Sequence, residues 1–264
     1  MKDTIYRAVV KVARAIFWAL DLQIDVVGSG NIPTSGPVVI AANHSSFVDF
    51  MLVGLPAVRR GRLVRFMAKE SVFRSVVGGP LMRGMGHIPV DRRHGAIAAR
   101  HAVRALRRGE VVGVYPEATI GHAFLLKDRG DVRRGAAYLS IATGAPLVPV
   151  AHWGLHRVWT VGGHLSLRRG YAVRLVVGEP LRANPGESAE GLTDRLHLRM
   201  SAMVDDLVRG HPQRPACPRG AWWWPAVHGG AAPTAGMARA MDLAGVRRAD
   251  GGHPRGKPDM AFRP

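Results

Sequence analysis

Sulfur chemistry is almost missing from this chain: Cys217 is its one cysteine, set in a Pro-Ala-Cys-Pro loop. A single thiol excludes a disulfide framework and a thiolate metal cluster, and Cys217 reads as incidental. Long apolar runs are missing too. No stretch reaches the roughly 18–20 residues that a spanning helix needs. Lys11 and Arg14 interrupt the apolar stretch near the N-terminus, so it does not read as a signal peptide, and the folded part is expected in the cytoplasm. Aromatic residues make up only 6% of the chain, with no glycine–aromatic platform, which leaves recognition of nucleic acid without support. Acidic residues are scarce: 19 Asp and Glu face 37 Lys and Arg, for a net charge of +18. Such a field favours anionic partners, whether nucleic acid, an acidic membrane surface or phosphorylated molecules, and the charge does not choose among them.

What the chain does have is apolar content, 47% of 264 residues, enough to bury one good core with length left over. Residues 4–20 read as an amphipathic helix. Ala8, Val9, Val12, Ala13, Ile16, Phe17 and Leu20 offer an apolar face, and Arg7, Lys11 and Arg14 share the other. With Trp18 alongside, the pattern suits a helix lying in a membrane interface and equally a surface helix packed on a domain. Strands are predicted at 22–27, 38–42, 63–68, 87–90, 111–115, 147–152 and 174–177. Helices are predicted at 49–58, 95–108, 134–143 and 187–208, with a short one inside 71–85 broken near Gly78-Gly79-Pro80. The last long helix carries Leu192, Leu196, Met200, Met203 and Leu207 as its stripe. Strands alternating with helices imply an α/β domain with a mainly parallel central sheet flanked by helices.

From His211 onward Pro and Gly become dense and apolar periodicity fades, which predicts an extended basic tail. Trp222-Trp223-Trp224 interrupts it, suited either to a second membrane contact or to covering an apolar patch. Three regions follow: an amphipathic helix at 1–20, a domain at 21–210 and a tail at 211–264.

One stretch organises the domain. The apolar run Pro37-Val38-Val39-Ile40 ends in Ala41-Ala42-Asn43-His44-Ser45-Ser46-Phe47-Val48-Asp49. A strand that ends in a polar turn presents side chains at the rim of a sheet. Histidine can accept and return a proton near neutral pH. A carboxylate on its second ring nitrogen would fix the tautomer and stabilise the imidazolium. Five residues are too many for neighbours on one helix face. A turn that leads into a helix, with Asp49 in its first turn, would bring the two together.

Further blocks follow in order: Gly86-His87-Ile88-Pro89-Val90-Asp91-Arg92, Val114-Tyr115-Pro116-Glu117-Ala118-Thr119, and Ala145-Pro146-Leu147-Val148-Pro149-Val150. In a parallel sheet the strand ends gather on one edge, so His44, Asp49, Arg92 and Glu117 are expected to converge. In these blocks the chain resembles the glycerolipid acyltransferases of the 1-acylglycerol-3-phosphate acyltransferase type, over roughly residues 20–180. The family's His-x4-Asp falls on His44 and Asp49, its Gly-x-Ile-x-x-x-Arg on Gly86 to Arg92, its Pro-Glu-Gly-Thr on Pro116 to Thr119, and its Val-Pro-Val-like strand on Pro146 to Val150.

The resemblance implies a reaction. His44 would act as the base on an acceptor hydroxyl and Asp49 would orient its ring, while Arg92 would pair with an acceptor phosphate. Gly86, Glu117 and Thr119 would shape the acceptor site. The co-substrate would be acyl-CoA or acyl-ACP (acyl carrier protein), with no further cofactor and no metal. The acceptor would be a lysophospholipid at an anionic membrane surface, with the enzyme peripheral or monotopic on the cytoplasmic face of the cell membrane, and phosphatidic acid as product. This sequence departs from the pattern twice: Ala118 replaces the usual Gly, and Ile120 stands where an arginine often follows. Arg129, Arg133 and Arg134 lie downstream as substitutes. The missing arginine keeps a second acceptor, a lysolipid without a terminal phosphate, in play. A reading from another class, a non-catalytic basic membrane-binding protein, accounts for the charge but not for the ordered blocks. A serine hydrolase using Ser45 or Ser46 lacks its Gly-x-Ser-x-Gly turn, and a metal at His44 and Asp49 lacks a matched third ligand.

Overall fold

Alternation along the central strands decides the architecture. In the computed structural model, which describes residues 2–76, 78–91 and 95–249, the elements run as follows. Helix α1 (Lys2–Ala19) leads into β1 (Gln23–Val27) and β2 (Val38–Ala42), then α2 (Asp49–Val53), α3 (Leu55–Arg59) and β3 (Val64–Lys69). Next come α4 (Glu70–Arg74), α5 (Gly78–Gly84), β4 (Ile88–Val90), α6 (Gly95–Arg107) and β5 (Val111–Val114). The chain continues through α7 (Gly135–Thr143), β6 (Leu147–Trp153), β7 (Ala172–Val177), α8 (Ala189–Arg209) and α9 (Ala235–Ala249).

The strands form one sheet in the order β1-β7-β6-β2-β5-β3-β4. All neighbours pair in parallel except β6 with β7, so the expected mainly parallel sheet flanked by helices is what forms. Strand β2 sits at the centre and is buried along its whole length. Val38, Ile40 and Ala42 face one layer, with Leu52, Val53 and Ala57 of α2 and α3. Val39 and Ala41 face the other, with Ala102 and Leu106 of α6, Ala136 of α7 and Leu196 of α8. A side-chain period of two on a strand apolar at every position gives two cores, one on each face.

Gly113 of β5 is set by a close approach: a Cβ there would lie 2.5 Å from the Phe66 ring. That ring therefore lies flat over β5 and stacks on Tyr115 at 5.9 Å.

The predicted helix at 49–58 is two short helices that meet at Gly54, because Pro56 in the first turn of α3 has no backbone N–H to carry the ladder through. On α8 the buried stripe takes Val204 rather than Met203, which is only partly covered. The composition from His211 predicts an extended segment, but residues 211–249 fold back on the domain. Ala221, Trp224 and Ala232 bury against Trp153 of β6 and Leu207 and Val208 of α8. Trp224 is 5% exposed and its indole N–H donates to the His228 carbonyl, so this part of the Trp cluster covers an apolar patch. The remainder of the predicted tail, 250–264, lies outside the described residues.

Helix α1 packs by Tyr6, Ala13 and Phe17, and the Tyr6 hydroxyl donates to the Val64 carbonyl of β3. Its apolar arc is wider than the surface that receives it. Ile5, Val12 and Ile16 stay exposed beside Arg7, Lys11 and Arg14, and Trp18 is 82% exposed. No helix among the described residues is long and apolar enough to cross a membrane.

Candidate active site

Strand β2 ends at Ala42, and the next seven residues build the site. Asn43 continues the ladder with its side chain: Nδ2 donates to the His152 carbonyl and Oδ1 accepts the His152 N–H. The chain then turns, and Asp49 opens α2 fully buried. Its Oδ2 accepts the backbone N–H groups of Ser45 and Ser46, at 2.7 and 2.8 Å, and the Nδ1–H of His44 at 3.0 Å. One carboxylate oxygen thus closes the turn and holds the ring. Burial pushes the Asp49 carboxyl up, but His152 and His44 outweigh it and hold it well below the ordinary carboxylate range. With Nδ1 committed as donor, Nε2 of His44 is the basic nitrogen, and 22% of the side chain remains open to solvent. The ring lies on Tyr115, with centroids 4.3 Å apart.

The second side of the site is the loop that follows β5. Glu117 is buried, and its two oxygens receive backbone N–H groups from either side: His44 on Oε1 at 2.7 Å and Lys127 on Oε2 at 3.1 Å. The expected convergence of His44, Asp49 and Glu117 is therefore real, but Glu117 ties the two loops together by their backbones. Burial raises its carboxyl to about 7 against those N–H bonds. Ala118, in the place of the usual Gly, adopts φ +58, the left-handed conformation that strains a residue with a Cβ. Thr119 accepts a hydrogen bond from Lys127 Nζ at 2.5 Å. Ile120 is buried and supplies no charge to the loop. Gly86 makes the φ +70 turn between α5 and β4, beside the Arg65 side chain. Arg92 lies outside the described residues.

Several positioning groups carry no motif of their own. His152, on β6, is fully buried: its Nε2 donates to the Asn43 carbonyl at 2.8 Å and stands 3.5 Å from Asp49 Oδ2. Trp159 and Thr160 pin the turn from outside, through Ser46 Oγ to the Trp159 carbonyl and Thr160 Oγ1 to the Ser45 carbonyl. Position next to an apolar strand was the only available signal for His152, and a buried core histidine has the same signal. The Ser46 hydroxyl donates to Trp159 and that of Ser45 is buried without a partner, so neither is hydrogen-bonded to His44.

A tautomer-fixed histidine at the rim of an α/β sheet, backed by a buried carboxylate, is the equipment of an enzyme that takes a proton from an attacking group. Comparison with known proteins identifies that class. The family model described as Acyltransferase matches residues 23–153, which hold β1 to β6 and both loops of the site. The 1-acyl-sn-glycerol-3-phosphate acyltransferase of Bacillus subtilis is 28% identical over 189 residues, covering 70% of this chain and 84% of that protein. The chloroplastic enzyme LPAT1 of Arabidopsis thaliana, named as a 1-acyl-sn-glycerol-3-phosphate acyltransferase, is 27% identical over 188 residues, or 69% of this chain and 49% of that one. Among solved structures, the 1-acyl-sn-glycerophosphate (LPA) acyltransferase PlsC of Thermotoga maritima superposes with a TM-score of 0.62 at 25% identity, covering 78% of this chain and 81% of that chain. The chain belongs to the acyltransferase family, and it is an enzyme.

Proposed function

We propose that the enzyme transfers a fatty acyl group from an acyl thioester to the free hydroxyl of 1-acylglycerol-3-phosphate, giving phosphatidic acid. The observation that carries this reading is the Asp49–His44 pair, with Nδ1 held at 3.0 Å, Nε2 outside that bond and the His44 side chain 22% exposed. In the reaction His44 Nε2 takes the proton of the acceptor hydroxyl as its oxygen attacks the thioester carbonyl carbon. The tetrahedral intermediate collapses, the carbon–sulfur bond breaks, and the leaving thiolate takes the proton back from Nε2. Asp49 holds the ring throughout and stabilises the imidazolium between the two transfers. Relatives named for this acceptor support the reading. The buried Ile120 favours a second reading on one point, because a lysolipid without a terminal phosphate needs no cation there.

The test is acyl transfer by purified protein to a panel of lysolipids from both acyl-CoA and acyl-ACP. Lysophosphatidate is expected to be the preferred acceptor. His44→Ala is expected to lose about 10²–10⁴-fold in turnover while keeping a native circular dichroism spectrum. Near-normal turnover by a folded His44→Ala protein would refute the mechanism.

We further infer that the enzyme is monotopic on the cytoplasmic face of an anionic membrane, with α1 in the interface. The exposed apolar edge of Ile5, Val12 and Ile16, the cations Arg7, Lys11 and Arg14, and Trp18 support this placement. Val12→Asp with Ile16→Asp is expected to move the protein from anionic vesicles to the supernatant in sedimentation. The buried face is untouched, so unchanged sedimentation would count against α1 as the anchor.

A further inference from the structure

The loop that carries Thr119 holds a pair of basic side chains, and an acid from the far end of the fold already sits between them. Asp242, on α9, places Oδ1 at 2.5 Å from His122 Nδ1 and Oδ2 at 2.7 Å from Lys127 Nζ. Lys127 Nζ also reaches Thr119 Oγ1 at 2.5 Å. The three side chains are between 12% and 20% exposed, so this is a recessed cluster and not a rim contact. It adjoins the catalytic turn directly, since the Lys127 N–H and the His44 N–H share the Glu117 carboxylate and Gly121 N–H donates to the His44 carbonyl.

What holds Asp242 there is weak elsewhere. Between residues 235 and 244 of α9 only Ala238 is buried, while Met237, Met241 and Leu243 stay exposed. Arg239 adds a pair with Asp131 at 3.2 Å. By contrast Ala221, Trp224 and Ala232, just before Pro233, are firmly packed. A segment such as 235–244, with one buried apolar residue, is at the low-stability end of a fold and is displaced at small cost.

We propose that His122 and Lys127, with the Thr119 hydroxyl, seat the phosphate of the acceptor, and that Asp242 is an internal competitor which the acceptor displaces. The inference rests on the phosphate-bearing acceptor of the preceding section and names the side chains that would read it. A carboxylate offers one charge and two oxygens to the pair. A phosphomonoester offers close to two charges and three oxygens, so it makes the same two contacts and satisfies Thr119 as well. The sequence loses its arginine at Ile120, and Lys127 restores a cation to the loop seven residues later. Helix α9 then acts as a strap over the acceptor site, closed in the absence of acceptor.

The experiment uses the full chain with lysophosphatidate and a neutral monoacylglycerol as alternative acceptors in mixed micelles, and a short-chain lysophosphatidate for titration without donor. Asp242→Asn is expected to lower KM and the titrated Kd for the phosphate-bearing acceptor at least fivefold. Lys127→Met is expected to raise both at least tenfold, in line with the loss of one charge-assisted bond. Values for the neutral acceptor should move less than twofold in Asp242→Asn, and by several-fold less than those for the phosphate-bearing acceptor in Lys127→Met. In the double variant the Asp242→Asn gain should shrink, since one of the two partners of Asp242 is gone. Circular dichroism confirms that each variant is folded, and Lys127→Arg, which should recover part of the affinity, serves if Lys127→Met is not. An unchanged or raised KM in folded Asp242→Asn would overturn the proposal and leave the cluster as a clasp for α9. A wild-type enzyme that acylates only phosphate-free lysolipids would overturn it together with the proposed acceptor, and that outcome is read on wild type alone.

Discussion

The two loops that make the site are built on opposite principles. The turn from Asn43 to Asp49 is closed by its own members: Asp49 accepts from Ser45, Ser46 and His44, all within five residues of it. The loop from Tyr115 to Lys127 is held open by constraint and by distant partners. Ala118 and Phe124 both sit at φ +58, and the groups that fasten the loop come from His44, His197 and Asp242. A self-closed turn gives a fixed base, which proton transfer requires. A loop fastened from outside can respond to what binds it. The base is therefore held by a turn that closes on itself and is braced by Trp159, Thr160 and Glu117, while the acceptor side adds the more distant contacts of His197 and Asp242.

The sharpest way to break the comparison is to remove the closure of the first loop. Asp49→Asn keeps one acceptor but places an amide N–H₂ where backbone donors converge, and it should cost on the order of 3 kcal/mol of stability. Because the Asp49 carboxyl is depressed in the folded state, wild type keeps this contribution above the ordinary carboxylate range and loses it as pH falls through the folded value. The variant should show a flatter acid limb in denaturant melts, and an unchanged midpoint would mean that the turn closes without the carboxylate.

The second loop should show the reverse pH dependence. Glu117 holds its proton to about 7 in the folded state, against an ordinary 4.5. Between those values the folded protein binds a proton that the unfolded chain has released, so stability falls as pH rises, by on the order of 2–3 kcal/mol. Glu117→Gln should remove that slope while leaving one acceptor for the His44 N–H. A slope that persists in the variant would place the titrating group elsewhere. The smallest effect is expected at Ala118, whose side chain is exposed and whose φ is +58. Ala118→Gly relieves the left-handed strain and adds unfolded-state entropy, for a net gain of about 0.5–1 kcal/mol and a Tm higher by about 1–3 °C. A lower Tm would show that the loop depends on the stiffness of alanine.

Legibility in the sequence follows the same division. Central strands such as 38–42 were readable because they are apolar on both faces, and the dyad because five residues suffice to form it. Glu117 was readable as a site residue but not as a clamp, since its partners are backbone N–H groups that no side-chain pattern announces. Trp224 and Trp18 look alike in sequence, yet one is buried and the other 82% exposed. What separates them is whether Leu207, Trp153 and Ala232 arrive to cover the ring, and that depends on elements far away in the chain. Asp242 could not be foreseen at all, standing 120 residues beyond its histidine partner.

The order of strands also dictates a sequence of events during synthesis. Strand β1 pairs only with β7, so residues 23–27 have no ladder until residues 172–177 have been made. Strand β2, made next, finds its neighbours β5 and β6 earlier. Strand β1 therefore stays unpaired while the centre of the sheet assembles, because long-range pairings form only after the intervening loop can close, whereas α1 can already dock on β3 through Tyr6. Among the described strands, β1 is made before its one neighbour by almost the whole length of the sheet, and is among the last to be paired.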